Sequence, residues 1–588
     1  MVFTSIDHLH HFVPLFLMGL GVFLFFSLIS LGLFKQKTFL HFFLTFYTLI
    51  AVWVVAVDIL ARLGGLYSVA IAVVTLLLVL FVLVRSSTVF STIKNLKSLI
   101  SKRTLWTVVL VVGLTFFFSK FIYNNGLHDE YQHHAVVEDM IKTEKWPIRD
   151  EFRYGIELSS IYHYGWYYLV ILVKSIFFVS IETALDLTKI ALFIPSTPFL
   201  TVLIKKYLQR TWMQSTALSV LLVFQGPALF FLDAYTGNVF FSQGNEIVYE
   251  PLFFQLAGIT WFGLVFMVAF LVTLHQLFRN SKHWQSVFYL LFSAWSLLLL
   301  NKAYFLIFVP AVILLGVYVY QTELLSIFKK KKRTFALLFF VSVAAFALLY
   351  LSIRQLSPLL YQLLKGESGI PFVRTAQRWG FPFSSQSGLG FQPVFSLDAL
   401  KSFGVIPLLS LGILIKKIIL EKKKSTTVLV TLFWFFLWLS PVLINFSRSE
   451  LALNKFYIPA MWLSTLVVVQ FALSQSKKVQ LLFWGVIFTS VLAPTVYFAS
   501  ISIPNSQQYW KYSDPITEYL SKEDGITVVA IDDFEYGKYL MNTLDVQLVS
   551  VRAKNIDIGE VAEYEVTNQR KNAEKPVAET ESHYLYTK

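Results

Sequence analysis

Long apolar runs separated by short cationic connections dominate the pattern of this chain. The runs lie at 12–34, 39–61, 66–84, 105–122, 163–181, 187–204, 214–232, 252–277, 285–300, 303–320, 335–352, 403–420, 427–445, 456–474 and 480–501. As helices they suit a hydrocarbon core of about 30 Å. No barrel-type alternation is present, and backbone groups in lipid must be satisfied internally, so the runs are read as helices. The connections KQK (35–37), Lys94–Arg103, KKYLQR (205–210), RNSKH (279–283), KKKKR (329–333), KKIILEKKK (416–424) and KK (477–478) gather the lysines. The positive-inside rule places them in the cytoplasm. The loops 123–162, 233–251 and 353–402, the NFSRSELALNKF connection (445–456) and the tail after 502 then face outward. One conflict is internal to this pattern. If 163–181 and 187–204 both cross fully, KKYLQR falls outside and every later loop inverts, so one of the two is expected not to span.

The tail is a different material. GITVVAIDDFEYGKYLMNTLDVQLVSV (525–551) reads strand, helix, strand. Beyond Lys554 the residues turn polar, and a partly disordered end is expected. A unit of this size is small for an independent core. The expected fold class is therefore an all-α polytopic membrane protein with a small C-terminal external α/β appendage.

Composition sharpens the class. Of 588 residues, 56% are hydrophobic and 14% charged, against about a quarter charged in soluble domains. The first residues, MVFTSIDHLHHF, carry no cationic n-region, so the first run is read as a retained helix. With no cysteine in the chain, disulfides, thiolate metal sites and cysteine nucleophiles are excluded. The net charge of +14 could suggest nucleic acid. Its placement in short loops makes it a topology signal instead, and no nucleic-acid partner is expected.

Candidate chemistry concentrates in LHDEYQHH (127–134), directly after the run 105–122. The segment reads as a helix stopped by Pro147. On it Asp129 and His133 are i,i+4 neighbours, as are Glu130 and His134. Each pair could hold a proton or help ligate a metal. Histidines beside carboxylates suit Zn²⁺ or Mn²⁺, although no strict metal spacing is present. Plain solvated loop charge is the alternative. HLHH at 8–11 is read as an interfacial segment.

The wider stretch DEYQHHAVVEDMIKTEKWPIRDEFRYGIELSSIYHYGWYYL resembles the first external loop of GT-C class glycosyltransferases, the group with protein O-mannosyltransferases and aminoarabinose transferases. Asp129–Glu130 stand at the place of the family's acidic pair. Ala135, Met140 and Trp146–Pro147 stand at the following helix, and Tyr162–His163–Tyr164–Gly165–Trp166–Tyr167 at the entry to the next span. The family's Pro-Pro is replaced there by Tyr164–Gly165. NEIVYEPLFF (245–254) resembles the second acidic motif, with Glu250 the closer match and Glu246 the alternative. LLLNKAYFLIFVPAVILLG (298–316) is similar to a Lys-Gly helix junction with Ala for Gly. LALNKFYIPAMWLSTLVVV (451–469) is similar to a late helix that begins near a Tyr and Pro. The likeness covers roughly 105–501; helices 1–104 lie outside it, and 502–588 form the tail.

The resemblance implies transfer of a sugar from a polyprenyl-phosphate donor to an extracytoplasmic glycan, lipid or protein acceptor. Asp129 takes the place of the base, with Glu130 beside it. A phosphate is a good leaving group, so one carboxylate suffices for an inverting displacement. Glu246, Glu250, His133 and His163 are candidates for positioning the acceptor or a divalent metal ion, the one cofactor considered. Lys302, Lys455, Arg153, Arg374, Arg378 and Arg448 are candidates for the donor phosphate. Lys302 and Lys455 stand out because each interrupts or abuts an apolar helix; snorkelling at the interface is the alternative for both. The loop 365–395, with its Arg, aromatic, Gly and Ser residues, is a candidate lid or an interfacial loop. A lipid or polysaccharide flippase or transporter, an O-antigen-type polymerase or ligase, and a structural or sensory membrane protein stay open. The expected location is multi-pass in a bacterial cell membrane.

Overall fold

The structure is a computed structural model. It describes residues 6–33, 38–64, 66–85, single positions within 87–91 and 133–144, 149–150, 156–157, 164–223, 259–280, 282–330, 404–420, 425–443, 451–487, 515–522, 527–531, 540, 546–550, 562–567, 575–580 and 583–587. The expected spans 105–122 and 335–352 and the loops 233–251 and 353–402 lie outside these residues. Among the described residues, six helical stretches are long and apolar enough to cross a membrane, which is the pattern of a multi-pass helical membrane protein. The chain divides into two units: 1–199 with 256–259 and 501–588, and 200–255 with 260–500.

The first unit is built on α1 (Ile6–Leu33), α2 (Phe39–Gly64), α3 (Tyr67–Val84), α4 (Tyr164–Phe177) and α5 (Ile181–Phe193), and takes in the start of α6 (Ser196–Leu208). Aromatic side chains knit these helices. Phe23 and Phe26 of α1 meet Phe46 and Trp53 of α2 at ring centroid distances of 5.4 and 6.5 Å. The Trp53 indole donates to Thr75 Oγ1 of α3 at 3.0 Å. Helix α1 lies so close to α5 that a methyl group on Gly19 would stand 2.6 Å from Ile190 Cγ2. Lipid offers no hydrophobic drive between helices, so such close backbone approach is what packing rewards.

The doubtful pair of runs resolves into unequal lengths. Helix α4 has 14 described residues, about 21 Å at 1.5 Å per residue. It ends at Phe178, an exposed residue with φ 52°. Ser180 then caps α5 by accepting from the Thr183 amide at 3.3 Å. Helices α5 and α6 follow one another through a turn at 194–195 and together form a 26-residue apolar span, Thr183–Leu208. Length alone makes α4 the shorter of the two against a core of about 30 Å.

The tail is also part of the first unit. A short helix, α14 (Pro515–Leu520), precedes a sheet of five described strands. Strand β3 (Thr527–Ile531) pairs in parallel with β4 (Val546–Ser550) and with β5 (Tyr564–Thr567). Strand β7 (Tyr584–Thr587) runs antiparallel to β5 and to β6 (Ala578–Glu579). Ile516, Leu520, Val529, Ile531, Val566 and Leu585 form its core. The strand-helix-strand expectation for 525–551 matches the parallel β3–β4 pair. Within the polar stretch after Lys554, β5 and β7 are strands with buried Tyr564, Val566, Leu585 and Tyr586, apolar side chains inside a polar composition.

The second unit holds α7 (Trp212–Val223), α8 (Ile259–Arg279), α9 (His283–Lys330), α10 (Ile406–Leu420), α11 (Ser425–Leu443), α12 (Leu451–Ala472) and α13 (Lys477–Ile487). Helix α9 is two helices joined at Asn301, where φ is −164° and ψ 103°. Near the start of α8, Gly263 lies against Asn301 and Tyr304. At its other end Phe278 and His275 meet Tyr320 and Tyr318 at 5.8 and 6.3 Å. The second half of α9 therefore returns along α8, and the expected runs 285–300 and 303–320 form a hairpin with its tip at Asn301–Lys302. Indole donors hold the remaining helices: Trp434 of α11 donates to Ser410 of α10 and Ser464 of α12, each at 2.9 Å, and Trp462 of α12 donates to the Leu222 carbonyl of α7 at 2.8 Å.

A Cβ on Gly263 would stand 2.5 Å from the Tyr304 ring and 2.7 Å from Asn301 Cβ, both in fully buried residues. Gly263→Val is expected to destabilise the protein by about 1–3 kcal/mol through overpacking. Thermal melting in detergent measures this; a melting point equal to the parent's would place the hairpin tip elsewhere.

Candidate functional site

The segment after LHDEYQHH forms a helical turn against α4. Positions 133, 136–138 and 140–141 are helical, and the Glu144 amide bonds back to the Met140 carbonyl at 3.1 Å. Glu144 itself has φ 51°, a left-handed residue that ends the turn. Val136, Val137 and Met140 are buried. With His133 they occupy spacings of three, four and seven residues, one helical face. From that face His133 Nδ1 shares a hydrogen bond of 2.8 Å with the Tyr167 hydroxyl. The two rings lie 5.7 Å apart. The bond joins residues 34 apart in sequence.

The first turns of α4 are buried throughout, from Tyr164 to Val173. One residue past Tyr167, the Tyr168 hydroxyl donates to Asp58 Oδ1 of α2 at 3.0 Å. Asp58 Oδ2 accepts from Arg62 Nε at 2.8 Å, one turn further along α2. The Asp58 side chain is fully buried while that of Arg62 is 24% exposed. The Tyr67 ring of α3 lies 5.9 Å from that of Tyr168. Successive tyrosines on α4 thus face different partners, because adjacent helix positions are turned by about 100°: Tyr167 holds the loop helix and Tyr168 holds α2. A two-strand ladder of β1 (Arg149–Asp150) and β2 (Ile156–Glu157) closes the later part of the same loop.

Of the expected site residues, the described set includes His133 in full and the helical backbones of Lys302 and Lys455. Asp129, Glu130, Arg153, His163, Glu246, Glu250, Arg374, Arg378 and Arg448 lie outside it, as does His134, and so does the candidate lid 365–395. Lys302 follows the α9 break directly. Lys455 stands in the first turns of α12, four residues before Pro459. A proline nitrogen cannot donate, so the carbonyl of residue 455 has no helical N–H partner. Among the described residues no three His, Asp or Glu side chains converge as a metal ion would require.

Sequence reasoning passed over Asp58, Arg62 and Lys189. The signal was present: a carboxylate with a cation at i+4 inside an apolar run, and a lysine at i+3 from Asp186 inside another. Charges at such depth are rare without a role. Lys189 is buried, with Asp186 Oδ1 at 3.4 Å.

In comparison with known proteins, no family model matches the chain and no curated protein sequence matches it.

Proposed function

We propose that the protein is a polytopic membrane glycosyltransferase that moves a sugar from a polyprenyl-phosphate donor to an extracytoplasmic acceptor. The observation that supports this reading most is the His133–Tyr167 hydrogen bond. It fastens the segment that follows the Asp129–Glu130 pair to the head of the next helix, where a loop carrying a base would need a rigid support. Asp129 takes the proton of the acceptor hydroxyl as its oxygen bonds to the anomeric carbon. The bond from that carbon to the phosphate oxygen breaks, and the lipid phosphate leaves with the electron pair. Glu130 lies beside the base. Glu246, Glu250 and His163 are proposed to position the acceptor or a divalent ion. Lys302, Lys455, Arg153, Arg374, Arg378 and Arg448 are proposed to meet the phosphate through charge-assisted hydrogen bonds. The acceptor is a glycan, lipid or protein, and the setting a bacterial cell membrane with the tail outside.

A second reading, a lipid or polysaccharide flippase, draws on two observations: the broken helix at Asn301 and the buried Asp58–Arg62 pair within an apolar span. Broken helices and intramembrane charges are habits of transporters. Proteoliposomes holding the purified protein and a labelled polyprenyl-phosphate sugar separate the two. Label passing to an added acceptor supports transfer; label crossing the bilayer still attached to its lipid supports the flippase and overturns the transferase.

Both acidic motifs must share one side of the membrane for this chemistry. The absence of native thiols makes single-cysteine labelling clean. In intact cells an impermeant reagent is expected to reach Glu130→Cys, Glu246→Cys and Glu560→Cys but not Lys331→Cys. Glu246→Cys behaving like Lys331→Cys would separate the two acids and remove the shared site.

A further inference from the structure

We propose that the adjoining ends of α6, α7, α8 and α9 form a binding site for the phosphate head of an anionic membrane lipid, independent of the transfer chemistry. Three observations converge there. The first is a built turn. Helix α6 ends at Gln209 with φ 52°, and α7 opens with a reciprocal capping box: the Gln214 amide donates to Thr211 Oγ1 at 3.3 Å, and the Thr211 amide donates to Gln214 Oε1 at 3.4 Å. This turn sets Trp212 beneath Lys205, whose Nζ lies 4.1 Å from the ring centroid.

The second is convergence. Tyr207 of α6 meets His275 of α8 at 5.9 Å, and His275 meets Tyr318 of α9 at 6.3 Å. The Tyr320 hydroxyl donates to the Phe278 carbonyl at 3.3 Å and pins the two helix ends together. Lys206 stands over Tyr207 at 5.8 Å, and Arg279 follows His275 by one helical turn. Lys206 and Arg279 thus flank the Tyr207–His275–Tyr318 stack, and Lys205 with Trp212 occupies the neighbouring position at the same helix end.

The third is a local excess of positive charge. The segments 187–232 and 251–322 contain no Asp or Glu. The described side chains at this place therefore include no carboxylate from either stretch. Nothing within these two stretches neutralises the cluster, which suits it to an anion from the bilayer. Position names its source. Met213 and Trp284 beside the cluster are 81% and 87% exposed, and exposed tryptophan next to cations marks the headgroup level of a bilayer. Basic pockets between helices at that level suit lipid phosphates. The Trp212 and Tyr207 faces add cation–π contacts that hold two lysines in place before the lipid arrives.

The test uses the full-length protein in nanodiscs of phosphatidylcholine containing phosphatidylglycerol, with retained lipid counted by native mass spectrometry. The parent is expected to retain phosphatidylglycerol selectively. Lys205→Gln with Lys206→Gln and Arg279→Gln should weaken retention by about a hundredfold, since each basic residue near the surface contributes about fivefold. Lys205→Arg with Lys206→Arg should keep it, which guards against a folding defect. The exposed pair Lys477 and Lys478 serves as control, and its double Gln variant should leave retention unchanged. Equal loss in the control would reduce the effect to general surface charge and overturn the site. Unchanged retention in the triple variant overturns it as well. Displacement of the lipid by millimolar inorganic phosphate would mean that the site takes free phosphate, against the lipid assignment. None of these outcomes depends on sugar transfer.

Discussion

Asp129→Asn is expected to lower sugar transfer by about 10²–10⁴-fold, the range that a positioned general base supplies. An amide of the same shape cannot take the hydroxyl proton. The change should fall on kcat, because the donor is held by its phosphate and lipid and not by the base. A lowered kcat with an unchanged KM means loss of an interaction made in the transition state only. Membrane insertion and melting temperature should stay at parent values. Transfer at the parent rate in Asp129→Asn would remove the base and with it the proposed mechanism. Glu130→Gln measured beside it tells which acid of the pair acts; activity lost there and kept in Asp129→Asn would exchange their roles.

The second large effect belongs to the buried pair of α2. Removing one partner of such a pair typically destabilises by about 3–5 kcal/mol, because a charge is left without compensation. The two removals are not equivalent here. Arg62→Ala leaves the fully buried Asp58 carboxylate with the Tyr168 hydroxyl as its remaining partner across helices. Asp58→Ala leaves a guanidinium that is already 24% exposed and can extend toward the headgroups. The expected order of damage is Arg62→Ala, then Asp58→Ala, then Tyr168→Phe, the last by about 1 kcal/mol. Asp58→Leu with Arg62→Leu should recover most of the loss, since apolar replacement of a whole buried pair is often neutral. Thermal melts of the detergent-solubilised variants read the order. A double variant as unstable as Arg62→Ala would mean that the pair is not the unit of stability.

What could be read in the sequence was local. The runs 285–300 and 303–320 and the break between them followed from Asn301–Lys302 interrupting an apolar pattern, and the chain does turn back there. The helix through His133 followed from the helical character of its segment, and its stop came before Pro147. The parallel β3–β4 pair followed from a strand-helix-strand pattern. What escaped was long-range. Tyr168 and Asp58 are 110 residues apart, and no periodicity says which of four neighbouring tyrosine and tryptophan side chains in α4 faces which helix. Tyr167 as the partner of His133 is another such case. The strands near the C-terminus escaped for a different reason: four-residue elements in a Glu- and Lys-rich stretch show alternation over too few positions to outweigh composition. The sequence also marked nine candidate residues, among them Asp129 and Glu250, whose placement lies outside the described structure.

The hairpin within α9 bears on how the chain is made. Its first leg, Trp284–Asn301, has a mean hydropathy of 1.2, and its second, Tyr304–Gln321, 2.0. A ribosome-bound translocon tests emerging segments for partition into lipid, and the first leg alone is the weaker candidate. With a tip of two or three residues, that leg cannot be released far ahead of its successor. The pair is therefore expected to enter the bilayer as one object, the second leg carrying in the first, with the Asn301–Lys302 tip leading it across.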